Sequence, residues 1–521
     1  MKIGAGTAPI FTASWCAPAG WVSPQRSGSE AGGNDRKVVA NTMAASEGYP
    51  EEAGATRVAM QPEGTTMKTH VRCGTLFGAG DREARPGQSL VYDDRGVIEF
   101  VGPTEQAPRA MPGEPVLDHS RHFVMPGLID IHVHLAYGNA KSEEDIDLYT
   151  PLEFRALRGL FFAQRLLAAG YTALCSPGDA GQVSLSIRNA IRVGLFDGPR
   201  ITAAGPYITA RQSLTDWYPS WIGAPSTSIG RLVANRDEAI EEIRVQAKNG
   251  VDCVKIALDG IQRRPDGSLI AAFTEDETAG MVREIQRLGR KAVVHAIGRE
   301  AVLYAARAGV DLIFHAYELD DECIDAVLKG GSAIAPTLTF QRNIIEFTQS
   351  NEGAAVNGRV GHVQRQYERA CRNLARAREA GVPMMAGTDS GFAVTPYGEW
   401  HARELEIFVN DLGFTPAEAL CAATRTNAGF LAEGERVGCL EPGRAADFIA
   451  LDGSPLEDIS MLLDKSRIHA VYLGGRRMAL PARDYDPRQV TDAAMTNWSD
   501  VYTQARVAEL RRDKPLRRAA E

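Results

Sequence analysis

The chain has 521 residues, 44% of them hydrophobic and 24% charged, with a net charge of −9. At about 100–200 residues per domain, this length suits two to four units, or one large barrel with a smaller companion. The 57 basic residues are scattered among 66 acidic ones, without the clustered basic face of a nucleic-acid binder, and no apolar run approaches the ~18 residues of a membrane helix.

Residues 1–66 are rich in Ala, Gly, Ser and Glu without hydrophobic periodicity, so they bury too little apolar area to offset chain entropy and read as a disordered extension. Their opening "IGAGTAPIFTASWCAPAG" makes a poor signal peptide, because Gly, Thr, Ser and Pro interrupt it. A true start at Met43, Met60 or Met67 would look the same. The eight cysteines contain no C-x-x-C pair and no framework of a short secreted chain, and they read as buried free thiols of a reducing, cytoplasmic compartment.

From "THVRCGTLFGAG" through "SLVYDDRGVIEFVGP" short alternating runs separated by Gly and Asp-Asp turns predict antiparallel β structure. After Pro126-Gly127 the rhythm changes to short apolar runs followed by helical stretches. The strand candidates are "LIDIHVH", "YTALCSP", "RITAAGP", "VDCVKIAL", "KAVVHAIG", "DLIFHA", "SAIAPTL" and "PMMAGTD". Eight strands alternating with helices predict an α/β fold, a (β/α)8 TIM barrel over 127–427. Beyond it, "GCLEPGRAADFIALDG" and "IHAVYLGGRRM" read as β hairpin material, so segments 67–126 and 428–483 are expected to form one small β-sandwich domain. The remainder, 484–521, reads as a helical or flexible solvated tail.

Strand side chains alternate faces, so His132 and His134 of "IDIHVHL" share one, and on a barrel strand both would reach inward at the C-terminal rim. Alone, that pair is weak evidence for a chelate and reads more readily as a polar strand end. Lys255 lies in the apolar "VDCVKIALDG", where an inward ammonium would cost several kcal/mol unless paired or chemically altered, and the open alternative is a lysine facing outward. His295 and His315 end consecutive strands about one βα unit apart, and Asp389 ends the last in "MMAGTDSG".

That order of H-x-H, Lys, His, His and Asp, with "MPGLIDIHVHL", "HAIG", "GTDSG" and "AADFIALDGSPLEDI", resembles the amidohydrolase superfamily in its imidazolonepropionase-like and Xaa-Pro dipeptidase branch, which also includes ochratoxin and phenylurea amide hydrolases. The resemblance implies a binuclear centre of two divalent metals, zinc by default, in which His132, His134 and Asp389 hold one ion and His295 and His315 the other. Lys255, carboxylated by CO2 to a carbamate, would bridge them. Hydroxide held by the metals would attack a carbonyl, with Asp389 passing its proton to the leaving amine. The expected activity is hydrolysis of an amide, urea or peptide C–N bond in a small molecule, by an enzyme assembled as a homo-oligomer. The alternatives are a cyclic imide or lactone hydrolase, a mononuclear deaminase, against which Lys255 argues, and an inactive scaffold.

The chain departs from the family pattern where many relatives carry a Gly-His-Gly segment, reading "ITARQSLTDWYPSWIG" instead. Arg211, Trp217, Tyr218 and Trp221 in that stretch are candidates for substrate contact or for surface packing. Phe273 stands where relatives often place Tyr or Phe and lacks a hydroxyl to polarise a carbonyl. His401 of "EWHAREL" is a candidate supporting group behind the metal ligands or an ordinary helix histidine, while Cys175 and Cys253 read as packing residues.

Overall fold

A computed structural model describes residues 67–347, 354–480, 483, 485, 498 and 500–513. The extension expected over 1–66, and most of the stretch between 481 and 499, lie outside the described residues.

The N-terminal strands β1 (Thr69–Phe77), β2 (Ala84–Tyr92), β3 (Ile98–Pro103) and β4 (Val116–Pro126) are followed by β5 (Leu128–Asp130), β6 (Tyr171–Ser176), β7 (Arg200–Ala203), β8 (Tyr207–Thr209), β9 (Gly230–Leu232), β10 (Cys253–Ala257), β11 (Lys291–Ala296), β12 (Leu312–His315) and β13 (Ala333–Ala335). The C-terminal strands are β14 (Phe448–Leu451), β15 (Ile468–Leu473) and β16 (Arg476–Arg477).

Both ends of the chain build one seven-stranded sheet in the order β16-β15-β14-β4-β1-β2-β3. Its pairs are antiparallel except β1 with β4, which run parallel. The Asp-Asp turn after β2 is closed by the Asp93 carboxylate, which accepts from the backbone of Arg95 at 3.0 Å and Val97 at 2.8 Å. Gly96 in that turn has a φ of 73°, and a Cβ there would stand 2.1 Å from the Gly474 carbonyl oxygen, so only glycine lets the β15–β16 turn approach.

The parallel strands form two sheets, β5-β6-β7 and β13-β12-β11-β10-β8-β9. The third expected strand ends early, at Ala203, and after an irregular stretch at 204–206 a further short strand, β8, follows it. Across this break Asp252 N donates to Ala203 O at 2.8 Å, linking β7 to the approach to β10. The eighth expected segment is no regular strand, yet it is bonded on both sides. Ile334 N donates to Pro383 O at 2.9 Å, Met385 N to Ile334 O at 2.8 Å, and Ile131 N to Ala386 O at 3.1 Å.

Side chains along these strands alternate between two cores, as the pleat requires. One set, Ile129, Ala173, Cys175, Cys253, Val293, Leu312, Phe314, Ala335 and Met385, forms an inner cluster that also includes Phe430 and Leu431. The intervening residues Leu128, Leu174, Val254, Val294, Ile313 and Ile334 join the large cluster shared with the surrounding helices. Cys175 and Cys253 thus pack in the interior as free thiols.

Helix starts follow local chemistry. Thr274 and Thr415 each form reciprocal capping boxes with the glutamate three residues on, and Gly309 ends Arg299–Ala308 in a left-handed conformation. The helix Gln504–Asp513 is docked rather than fully solvated, since Tyr502 and Val507 are buried with Phe347, Val394 and Trp400. Among the described residues no helix is long and apolar enough to cross a membrane.

Candidate metal centre

The inner face of β10 and β11 carries Cys253 and Val293 low down and, two residues further along, Lys255 and His295. Lys255 therefore points inward, buried, with Nζ 3.0 Å from His132 Nε2 and 4.4 Å from the centre of the Tyr207 ring. Burial pushes its ammonium down to about 8, against the pull of Asp389.

His132 and His134 lie just past the last regular residue of β5. The His132 N–H is taken by the Asp130 carboxylate at 2.9 Å, while Ile131, Val133 and His134 bond alternately to Ala386, Cys175 and Ser390 on either side. Both rings are buried, their Nε2 atoms 3.0 Å apart. Asp389 Oδ1 lies 3.5 Å from His132 Nε2 and 3.2 Å from His134 Nε2, and these three residues can present ligand atoms that all lie within 4.8 Å of one another.

His315 needs a backbone deviation to join them. Phe314 faces the inner cluster, so regular alternation would send His315 outward. Instead His315 and Ala316 take φ of 78° and 53°, and the His315 ring comes to 4.5 Å from that of His295 and 5.6 Å from that of His132. Thr337 and Asp389, at 53° and 56°, share this left-handed conformation, which costs about 1–3 kcal/mol per non-glycine residue and is characteristic of functional sites.

Hydrogen bonds fix which nitrogens are free. His134 Nδ1–H donates to Gly178 O at 2.6 Å, leaving Nε2 as an acceptor. Thr337 spends its hydroxyl proton on Pro336 O, so His315 Nδ1–H must donate to Thr337 Oγ1 at 2.6 Å, again leaving Nε2 free. His295 Nε2 is buried without a hydrogen-bond partner, because Asp259 Oδ1 is near at 3.3 Å but poorly aligned. Burial drives His132 and His315 well below the ordinary imidazole range. Neutral imidazoles with inward lone pairs around an ionised carboxylate fit a cation. A charged Lys255 would compete for the His132 Nε2 lone pair, so the set accommodates a cation only if Lys255 gives up its charge.

His401 supports this group from behind. Its Nε2 accepts from Gly398 N at 3.0 Å, and Nδ1–H donates at 2.7 Å to Asp130, which also takes Thr388 Oγ1 at 2.6 Å. Several contributors escaped the sequence reading: Tyr207, whose hydroxyl is 3.0 Å from His134 Nε2; Asp259, which accepts from Ile297 N and Gly298 N; and Thr337. Position alone could have flagged Asp259, four residues beyond Lys255 and past the same strand end. The loop candidates stand apart: Arg211 and Tyr218 line an open cavity of about 460 Å³ with Ile261 and Gln262, and that lining includes none of the six candidate ligands. Trp221 is 84% exposed, Trp217 is half-buried, and Phe273 is buried in the large core.

The chain is 28% identical over 426 residues to ochratoxinase from Aspergillus niger, covering 77% of this chain and 85% of the relative. Among solved structures it resembles a Xaa-Pro dipeptidase with methionine bound in its active site, at a TM-score of 0.69 and 26% identity, over 79% of this chain and 99% of that one. The A. niger ochratoxinase crystal structure has the same fold, with a TM-score of 0.70 at 24% identity over 81% and 97% of the two chains. A model of the Amidohydrolase family matches residues 123–478, from the end of β4 past β16 and through every residue of the cluster. The chain belongs to the amidohydrolase family.

Proposed function

We propose that this protein is a metal-dependent hydrolase that cleaves an amide, urea or peptide C–N bond in a small molecule. The observation that carries the reading is the convergence of His132, His134, Asp389 and Lys255 in one buried cluster beside His295 and His315. It is supported by the likeness to ochratoxinase and to a Xaa-Pro dipeptidase. The same reading takes the hydrogen bonds that link β7 to β10, and β13 through 383–386 to Ile131, as the seams of a closed eight-stranded barrel over 127–427. Segments 67–126 and 428–483 would flank it as the sheet domain.

His132, His134 and Asp389 would hold one divalent ion, zinc by default, and His295 and His315 the second, with Lys255 between them as a carbamate. When bound, the ions supply a water of lowered pKa and a Lewis acid for the carbonyl oxygen. Lys255 with a pKa near 8 keeps enough neutral amine at ordinary pH to add CO2 at Nζ, forming an N–C bond and releasing a proton to solvent. Asp389, with 16% of its side chain exposed, is the member of the cluster able to take a proton and deliver it to the departing nitrogen. Gly178 O and Thr337 Oγ1 hold His134 and His315 in the tautomer that keeps Nε2 inward.

Elemental analysis of the purified protein, with a screen of N-acyl amino acids, aryl amides and phenylureas, tests this. About two metal equivalents and turnover of one of these classes are expected. One equivalent would favour a mononuclear deaminase, and none an inactive scaffold.

A further inference from the structure

A second histidine cluster lies on the seven-stranded sheet, where β14 runs out. Ala450 pairs with Ala470 but Leu451 with Ile468, so His469 is the extra residue of a bulge in β15. On the other side Leu451 pairs with Phe123 and β14 ends there, placing His122 at the edge of the gap. Across it the His122 and His469 rings stack at 3.9 Å, and the His119 ring lies 5.2 Å from His122 and 5.7 Å from His469. All three offer a ring nitrogen within 4.8 Å of the others.

The positions of the nitrogens point to an ion. His119 Nδ1 and His122 Nδ1 face each other at 3.3 Å, while their outer nitrogens each have an oxygen close by. His119 Nε2 is 3.0 Å from the Tyr472 hydroxyl, and His122 Nε2 is 3.3 Å from Asp452 Oδ1. With protons on those outer nitrogens, two lone pairs confront one another, which is unfavourable unless a cation lies between them. A spacing of about 3.3–3.4 Å is also the edge of a tetrahedron whose ligand nitrogens stand at about 2.0–2.1 Å from a zinc ion. We infer that His119, His122 and His469 form a binding site for a divalent transition-metal ion of the zinc, nickel and copper class, separate from the Lys255 cluster. Imidazole suits these metals, Tyr472 and Asp452 orient the rings from outside, and exposed His469 leaves the site open to solvent.

Titration of Zn2+ into the full-length protein, its buried cluster already replete with metal, tests this by calorimetry. The wild type should take up one further equivalent, and His122→Asn and His469→Asn should lose it or bind at least ~10-fold more weakly. Neither variant should shift the thermal midpoint in the absence of added zinc, which separates loss of a ligand from loss of the fold. No further uptake by the wild type, or equal uptake by the variants, would overturn the site and leave a His119 Nδ1–H···His122 Nδ1 hydrogen bond as the explanation of the contact.

Discussion

The chain carries two groups of imidazoles, and it holds them in opposite ways. Around Lys255 the rings are buried, the backbone is left-handed at His315, Thr337 and Asp389, and an outer layer of Gly178, Thr337, Asp130 and His401 fixes orientation. Around His469 two register shifts, one in β15 and one in β4, and the end of one strand suffice, and Tyr472 and Asp452 stand behind the rings. Closeness of imidazoles therefore does not rank a site. The buried group is built at a cost in conformation and desolvation that only tertiary packing sustains, whereas the sheet group is a by-product of register that costs the fold little.

The largest effect should come from Lys255→Ala, which removes the amine at the centre of the buried group. It is expected to abolish turnover and lower metal content, read by kcat/KM and elemental analysis. Full activity with a full metal complement would end the bridging role.

A smaller effect, of roughly 3 kcal/mol, attaches to Glu404. This acid is buried beneath the turn that holds His315, accepting from Leu338 N, Thr339 N and Thr339 Oγ1, and burial raises it to about 7 from an ordinary 4.5. The folded state binds the proton more tightly than the unfolded one. Its contribution to stability should therefore be greatest below about pH 4.5, fall as pH climbs to about 7, and level off above. Glu404→Gln should flatten that slope in urea unfolding at several pH values, whatever it does to absolute stability. An unchanged slope would show that Glu404 is not the titrating group.

The smallest effect belongs to the sheet. His469→Asn is expected to move unfolding free energy by no more than about 0.5 kcal/mol without added metal, as for other surface substitutions. A loss of several kcal/mol would mean that the bulge depends on its imidazole, and the contrast between the groups would narrow.

The difference also explains what could be read from the chain. Short apolar runs followed by helical stretches made most parallel strands legible, and with them the places of Lys255 in β10 and His295 in β11. His315 did not follow from it, since strict alternation points it outward and a left-handed turn brings it in. Tyr207 and Thr337 act through contacts between distant segments that no local pattern marks, and Asp259, though its place past the β10 end was visible, acts through a contact to Gly298 N that was not. The break between β7 and β8, and the eighth segment held by hydrogen bonds without regular strand geometry, were equally hidden. His119, His122 and His469 meet because of register shifts in both β4 and β15, which depend on how strands separated by the α/β body settle against each other.

That pairing has a consequence for the order of events during synthesis. Strand β4 is flanked by β1 and by β14, and Leu451 meets Phe123 only after everything between them has been made. Until then the growing chain carries an unpaired strand edge with Val124 and Met125 ready to meet any other exposed strand, including that of a neighbouring nascent chain. The ribosome thus delivers the seal of the N-terminal sheet last. Truncation before Phe448 would leave a strand edge open to aggregation, not merely a shorter protein.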